Sequence, residues 1–165
     1  MIRLTEPALP WHHPATLVAT WFGSGLLSKA PGTWGSLAAL PFAWAIAWAG
    51  GPWLLGLAAV FVFVIGLWAS HLYARALGAE DPGSVVVDEV AGQWLALLPV
   101  ALSVAYYPLA FIAFRFFDIL KPWPVSWLDK HIKGAFGIMA DDVMAGLYAA
   151  AVTFATAYIV ERVLL

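Results

Sequence analysis

Asp88 and Glu89 are neighbours in the chain, and so are Asp141 and Asp142, in a sequence where charge is scarce. Adjacent carboxylates repel unless a cation or a proton lies between them. Mg²⁺ takes carboxylate oxygens and water in an octahedron, so each pair is a candidate metal-binding element. The plainer reading of each is a helix start, where carboxylates cap free N–H groups and meet the positive end of the dipole. A third cluster is Arg115, Asp118 and Lys121, spaced three apart. On a helix that spacing sets plus, minus and plus on one face, and Pro122 then ends the helix. Arginine offers phosphate a planar fork and lysine a point charge. Asp118 between them either holds a metal or neutralises its neighbours, the plainer reading being a structural salt bridge beside an interfacial Lys–Trp anchor. A fourth element runs from Gly23-Ser24-Gly25 through Ala30 to Ser36. Glycine lets backbone N–H groups approach an anion, and Thr33 either caps the next helix or touches phosphate. Taken alone, this segment reads most simply as a loop before a helix.

Together, Asp88, Glu89, Asp118, Asp141 and Asp142 with Arg115 and Lys121 suit phosphoryl chemistry. Metal ions neutralise phosphate oxygens and activate water, while the cations stabilise the transferring group. Other chemistries are poorly served. The chain has no Cys, which removes disulfides, thiolate nucleophiles and Cys-ligated metal. His12, His13, His71 and His131 show no zinc-site spacing. A net charge of −2 gives no steering toward nucleic acid.

The elements that must position these residues are apolar. Apolar residues make up 63% of the 165-residue chain and charged residues 11%, against about 45–50% and about 25% in soluble domains. The bilayer is the simpler solvent. The ten Trp fit a membrane interface, where the ring stays apolar and the N–H meets water, with some packed between helices instead. Met1 to Pro10 carries Arg3 and Glu6 and lacks the apolar core of a signal peptide. No formal charge occurs between Lys29 and Arg75, enough for two spans of roughly 20 residues. Gly50-Gly51-Pro52 marks a turn, giving a hairpin of about 34–49 and 53–73. Two shorter helices follow, from Val90 to about Ala105 and from Pro108 to about Leu120, then a last helix from about Val143 to Val160. A turn at Tyr106-Tyr107-Pro108 makes five elements and puts segments 23–33, 75–89 and 121–142 on one side, with Arg3, Lys29, Arg75, Lys121, Lys130 and Lys133. Opposite them stands little but Arg162, so the polar side is expected in the cytoplasm. The expected architecture is one all-α, polytopic membrane bundle over residues 1–165 with four to five transmembrane helices.

These segments, in this order, resemble the phosphatidylglycerophosphatase A family. The resemblance rests on Gly23-Ser24-Gly25 with Ala30 to Thr33, on Asp88-Glu89, on Phe114 to Pro124, and on Gly137 to Gly146. It spans about residues 20–150. The stretch around Arg115, Asp118 and Lys121 and the one around Asp141-Asp142 are long and specific. Glu80 and Lys29 depart from the pattern at its periphery. The resemblance implies a multi-pass bacterial inner-membrane enzyme that hydrolyses phosphatidylglycerophosphate to phosphatidylglycerol and phosphate with Mg²⁺, among membrane lipids, and it leaves oligomerisation open. Carried onto this chain, the acidic candidates are Asp81, Asp88, Glu89, Asp118, Asp141 and Asp142, and the cationic ones Arg115 and Lys121. Five of the carboxylates (Asp88, Glu89, Asp118, Asp141 and Asp142) would hold one or two Mg²⁺, and Arg115, Lys121 and Thr33 would contact substrate. Attack by water with a carboxylate as general base is favoured over an aspartyl-phosphate route, since no DxDxT-type nucleophile motif occurs.

Two competing classes are weaker. A CDP-alcohol phosphotransferase needs an Asp-Gly pair followed by Ala-Arg, which is absent. A transporter explains the hydropathy but should place charge near mid-span rather than at helix ends on one side.

Overall fold

The computed structural model describes residue 5 and residues 7–27 and 29–164, so Arg3 and Glu6 lie outside the described residues. The described residues form six α-helices: α1 Pro14–Ala19, α2 Pro31–Leu77, α3 Val87–Leu97, α4 Tyr107–Leu120, α5 Val125–His131 and α6 Gly134–Ile159. No strand occurs among the described residues.

Helix α2 is a hairpin. Its backbone leaves helical geometry at Gly50 and at Gly51, where φ is +70°, a conformation open to glycine because it has no Cβ. Pro52 follows and lacks the N–H that would continue the ladder. The two arms run along α3 in opposite directions. On the first arm Gly35 abuts Val86, and the carbonyl of Ala39 accepts from Trp94 Nε1 at 3.0 Å. On the second arm Gly66 abuts Val87, and Gly56 faces Leu98.

Helices α3 and α6 meet at bare backbone. A Cβ at Gly146 would fall 2.4 Å or more from Gly92's backbone atoms, closest to its carbonyl oxygen, and a Cβ at Gly92 would fall 2.5 Å from the carbonyl oxygen of Asp142. This approach brings the first turn of α3 beside Asp142. Gly146→Leu should therefore lower stability by about 1–3 kcal/mol, the cost of overpacking a tight contact. The thermal unfolding midpoint in detergent measures it.

Several expectations need adjusting. Helix α6 begins at Gly134, not near Val143, so Asp141 and Asp142 lie two turns inside it and Lys133 is its N-cap residue. The carboxylate pair is thus not a helix cap. Helix α3 ends at Leu97, and short 3₁₀ turns at Leu98–Val100 and Val104–Tyr106 connect it to α4. Helices α1 and α5 were not anticipated, being too short for apolar periodicity to reveal. The four to five spans are met only in part: among the described residues two helices are long and apolar enough to cross a membrane, Pro31–Leu77 and Gly134–Arg162. At 1.5 Å per residue α3 and α4 are about 16 and 21 Å long, short of a hydrocarbon layer of about 30 Å.

Small residues form much of the core, with Ala39, Ala43, Ala47, Ala145 and Ala149 buried between helices beside larger side chains such as Tyr73, Leu97, Phe114 and Met139. Large apolar side chains point outward, among them Leu57, Val60, Phe61, Val64, Ile112 and Phe154. The tryptophans divide between surface and interior. Trp48 and Trp53 flank the hairpin turn at 76% and 87% exposure, and Trp123 is 77% exposed at the other end. Trp94 is buried at 2% between helices.

Candidate active site

The strand of connectivity that matters runs through one end of the bundle. There α2 begins, α3 begins, α4 ends, and α6 passes through its third turn. A cavity of about 600 Å³ opens among them. Asp88, Glu89, Arg115, Asp118, Lys121, Asp141 and Asp142 all line it. Residues far apart in sequence are brought together because the polar segments all lie at this end of the antiparallel arrangement.

Asp88 and Glu89 sit in the first turn of α3, whose N-cap residue Val86 has no side chain to cap it. The Asp88 carboxylate accepts from the backbone N–H of Glu89 at 3.0 Å. Asp142 reaches the same place from α6 and is 4% exposed. Asp88, Glu89 and Asp142 each present a carboxylate oxygen, and these oxygens lie within 4.8 Å of one another. Glu89 Oε2 is buried and has no hydrogen-bond partner. Three clustered carboxylates with an unsatisfied oxygen form a donor set suited to a hard divalent cation.

Arg115 is the hub on the cationic side. Its Nη1 lies 2.5 Å from Asp118 one turn on, 3.7 Å from Glu89 on α3 and 3.5 Å from the Ser36 hydroxyl on α2. Its Nε is buried without a partner. Gly32 makes the packing possible, because a Cβ there would overlap Glu89 Oε1 and crowd Arg115 Nη1. The glycine-rich segment thus leaves room for the Glu89–Arg115 contact. Thr33 falls inside the first turn of α2 and is not among the residues lining the cavity; the N-cap position belongs to Ala30. The expectation that Thr33 caps the helix is corrected, the cavity wall there being formed by Ala30, Pro31 and Gly32.

Lys121 departs from the pattern of one helical face. It is the C-cap residue of α4 with φ of +45°, off the helix, and so does not continue the Arg115–Asp118 row. Its Nζ lies 2.6 Å from Asp129 on α5 and 2.6 Å from Asp141 on α6. Burial works against the ammonium charge, but the hydrogen bonds to Asp129 and Asp141 outweigh it and hold the lysine above its ordinary range. Its ion pairs are therefore complete below that range and weaken only in strongly alkaline solution. Lys121→Met should leave Asp129 and Asp141 facing each other without a cation. We expect α5 to loosen, read as faster proteolytic cleavage within 121–133 while the rest of the chain stays resistant.

Asp129 escaped the sequence reading, and Ser36 entered it only as the end of the glycine-rich segment. Asp129 stands eight residues beyond Lys121 across a proline break, so no helical spacing links them. Ser36 carries no charge and sits among apolar residues. Asp81, Lys130 and Lys133 also line the cavity.

The family model for phosphatidylglycerophosphatase A matches residues 17–157. A phosphatidylglycerophosphatase A from Escherichia coli (strain K12) is 40% identical over 147 residues, covering 88% of this chain and 82% of the relative. One from Haemophilus influenzae is 41% identical over 155 residues, covering 88% and 90%. A protein from Bacteroides thetaiotaomicron, named provisionally as a phosphatidylinositol-3-phosphatase, is 41% identical over 145 residues, covering 80% and 86%. No solved structure matches the chain significantly.

Proposed function

This chain belongs to the phosphatidylglycerophosphatase A family, a family of phosphatases, and from that premise we propose that it hydrolyses phosphatidylglycerophosphate to phosphatidylglycerol and inorganic phosphate with the help of Mg²⁺. The observation that carries the metal requirement is the charge of the cavity. Eight carboxylates (Glu80, Asp81, Asp88, Glu89, Asp118, Asp129, Asp141, Asp142) and four cations (Arg115, Lys121, Lys130, Lys133) line it. A wall with that excess of negative charge repels a phosphate monoester unless divalent cations balance it. Asp88, Glu89 and Asp142 are the residues that would hold one, with Asp118 and Asp141 on the same wall available to it or to a second. Bound there, Mg²⁺ supplies Lewis acidity, neutralising phosphate oxygens and making water a better nucleophile.

The protein's own groups divide the remaining work. Arg115 offers its fork to phosphate oxygens, held in place by Asp118 and Glu89. A cavity carboxylate accepts the proton of the attacking water. Lys121, engaged by Asp129 and Asp141, positions α5 and α6 more than it binds substrate.

The setting is a membrane. The outward apolar side chains and the two long helices support it, and the hairpin of α2 adds a second pass to the first. Helix α3 is a short element buried within the bundle, and α4 a short one that keeps one face outward, with Ile112, Phe116 and Ile119 exposed. The cavity end carries Lys29, Arg75, Lys121, Lys130 and Lys133, against Arg162 at the other end among the described residues, which supports a cytoplasmic site in the bacterial inner membrane.

The test is phosphate release by the purified protein from phosphatidylglycerophosphate in detergent micelles, with Mg²⁺ or EDTA, beside phosphatidylinositol 3-phosphate and phosphatidic acid. Mg²⁺-dependent release with phosphatidylglycerophosphate preferred supports the reading. Preference for phosphatidylinositol 3-phosphate would keep the chemistry and replace the substrate; release unaffected by EDTA would remove the metal.

A further inference from the structure

The first arm of α2 and α4 run antiparallel, touching at the cavity where Ser36 meets Arg115. That register brings Leu40 level with Phe111 and Trp44 level with Tyr107, one helical turn at a time. Below the contact the helices stand apart and leave a groove of about 500 Å³. Leu37, Leu40, Pro41 and Trp44 form one wall, and Val104, Tyr107, Pro108 and Phe111 the other. The volume is that of a ligand site. The lining is apolar even at Tyr107, whose hydroxyl is turned away to the carbonyl of Ala101 at 2.8 Å, leaving only its ring for the groove.

Position is what sets this groove apart from the rest of the apolar surface. Phe111 precedes Arg115 by one turn, about 6 Å, and Leu40 follows Ser36 by the same step. The groove therefore starts beneath the guanidinium and runs away from the polar end of the bundle. A lipid phosphate has this shape: an anionic head joined to a chain that must stay out of water. Resting on the function proposed above, we propose that the groove between α2 and α4 seats an acyl chain of the lipid whose phosphate lies in the polar cavity. Substrate is thereby gripped at both ends, and the chain sets the depth at which the phosphate meets Arg115.

Leu40→Trp fills the groove, and Leu40→Ala, which carries no risk of overpacking, enlarges it. The readout is the ratio of kcat/KM for the long-chain lipid to kcat/KM for its deacylated headgroup, glycerophosphoglycerophosphate. Leu40→Trp should lower that ratio at least about tenfold, as for two methylenes kept out of an apolar site, and Leu40→Ala should lower it less. Val60→Trp, on the outward face of the second arm, should leave it unchanged. Equal losses on both substrates, or no loss, would overturn the groove. A readout independent of turnover uses the wild-type protein and phosphatidylglycerophosphate carrying a diazirine in its acyl chain. Labelling of 37–44 and 104–111, displaced by unlabelled phosphatidylglycerophosphate but not by phosphatidylcholine of the same chains, supports the seat. Displacement by both lipids alike would make the groove ordinary lipid-facing surface. Hydrolysis of neither substrate by the wild type would defeat the proposed reaction, and the labelling pattern would still decide the groove.

Discussion

Asp142→Asn should reduce phosphate release by more than about a hundredfold, the scale on which loss of one charged or hydrogen-bonding group at a phosphoryl-transfer centre is felt, and should do so without unfolding the protein. Asn keeps the shape of the side chain and one oxygen. It removes the charge that α6 contributes to the cluster with Asp88 and Glu89. The same change makes a second, opposite expectation. Without metal, three carboxylates packed together repel, so removing one charge should raise the thermal midpoint in EDTA. For a chain of this size about 2–4 °C corresponds to 1 kcal/mol. Loss of activity with a lowered midpoint would mean that Asp142 is structural. The metal centre would then have to be sought at Asp118 and Asp141.

Arg115→Ala should be damaging in two ways at once. The guanidinium joins α4 to Glu89 on α3 and Ser36 on α2, and its removal leaves Glu89 and Asp118 without their cation. Both partners are mostly buried, at 16% and 12% exposure for Arg115 and Asp118. A stability loss of about 2–3 kcal/mol is expected, somewhat below the cost of breaking a fully buried pair. Turnover should fall by more than about a hundredfold. Arg115→Lys separates the roles. A point charge recovers much of the stability but cannot offer phosphate a fork, so the thermal midpoint should return while kcat/KM stays low. Recovery of both by lysine would show that Arg115 serves as a tie between helices only.

Much of this arrangement was legible in the chain because charge in an apolar sequence is costly and therefore informative. The uncharged stretch from Lys29 to Arg75, broken at Gly50-Gly51, gave the hairpin. The turn near Tyr106 put three polar segments at one end, and all eight charged candidates line one cavity. What escaped depends on contacts that spacing does not carry. Lys121 looks continuous with Arg115 and Asp118, but Pro122 breaks the helix at that point and turns the lysine toward Asp129 and Asp141. The start of α6 was placed too late because Gly134 to Ala140 are small or apolar residues with no capping side chain before them. Gly32 read as part of a loop and Gly92 and Gly146 carried no reading of their own, yet each marks a close approach that a Cβ would block. Ser36 entered only as the end of the glycine-rich segment, and the α2–α4 groove has no signature in charge or motif at all.

The central claim is that Asp88, Glu89 and Asp142 hold a divalent cation beside Arg115. Mn²⁺ stands in for Mg²⁺ at oxygen-ligand sites and can be counted directly. The measurement is titration of the purified, metal-stripped protein with Mn²⁺, read by electron paramagnetic resonance. Saturable binding of one or two ions per chain, displaced by Mg²⁺ and lost or much weakened in Asp142→Asn, is the expected result. A folded wild-type protein that binds no Mn²⁺ beyond the level of the variant would contradict the claim.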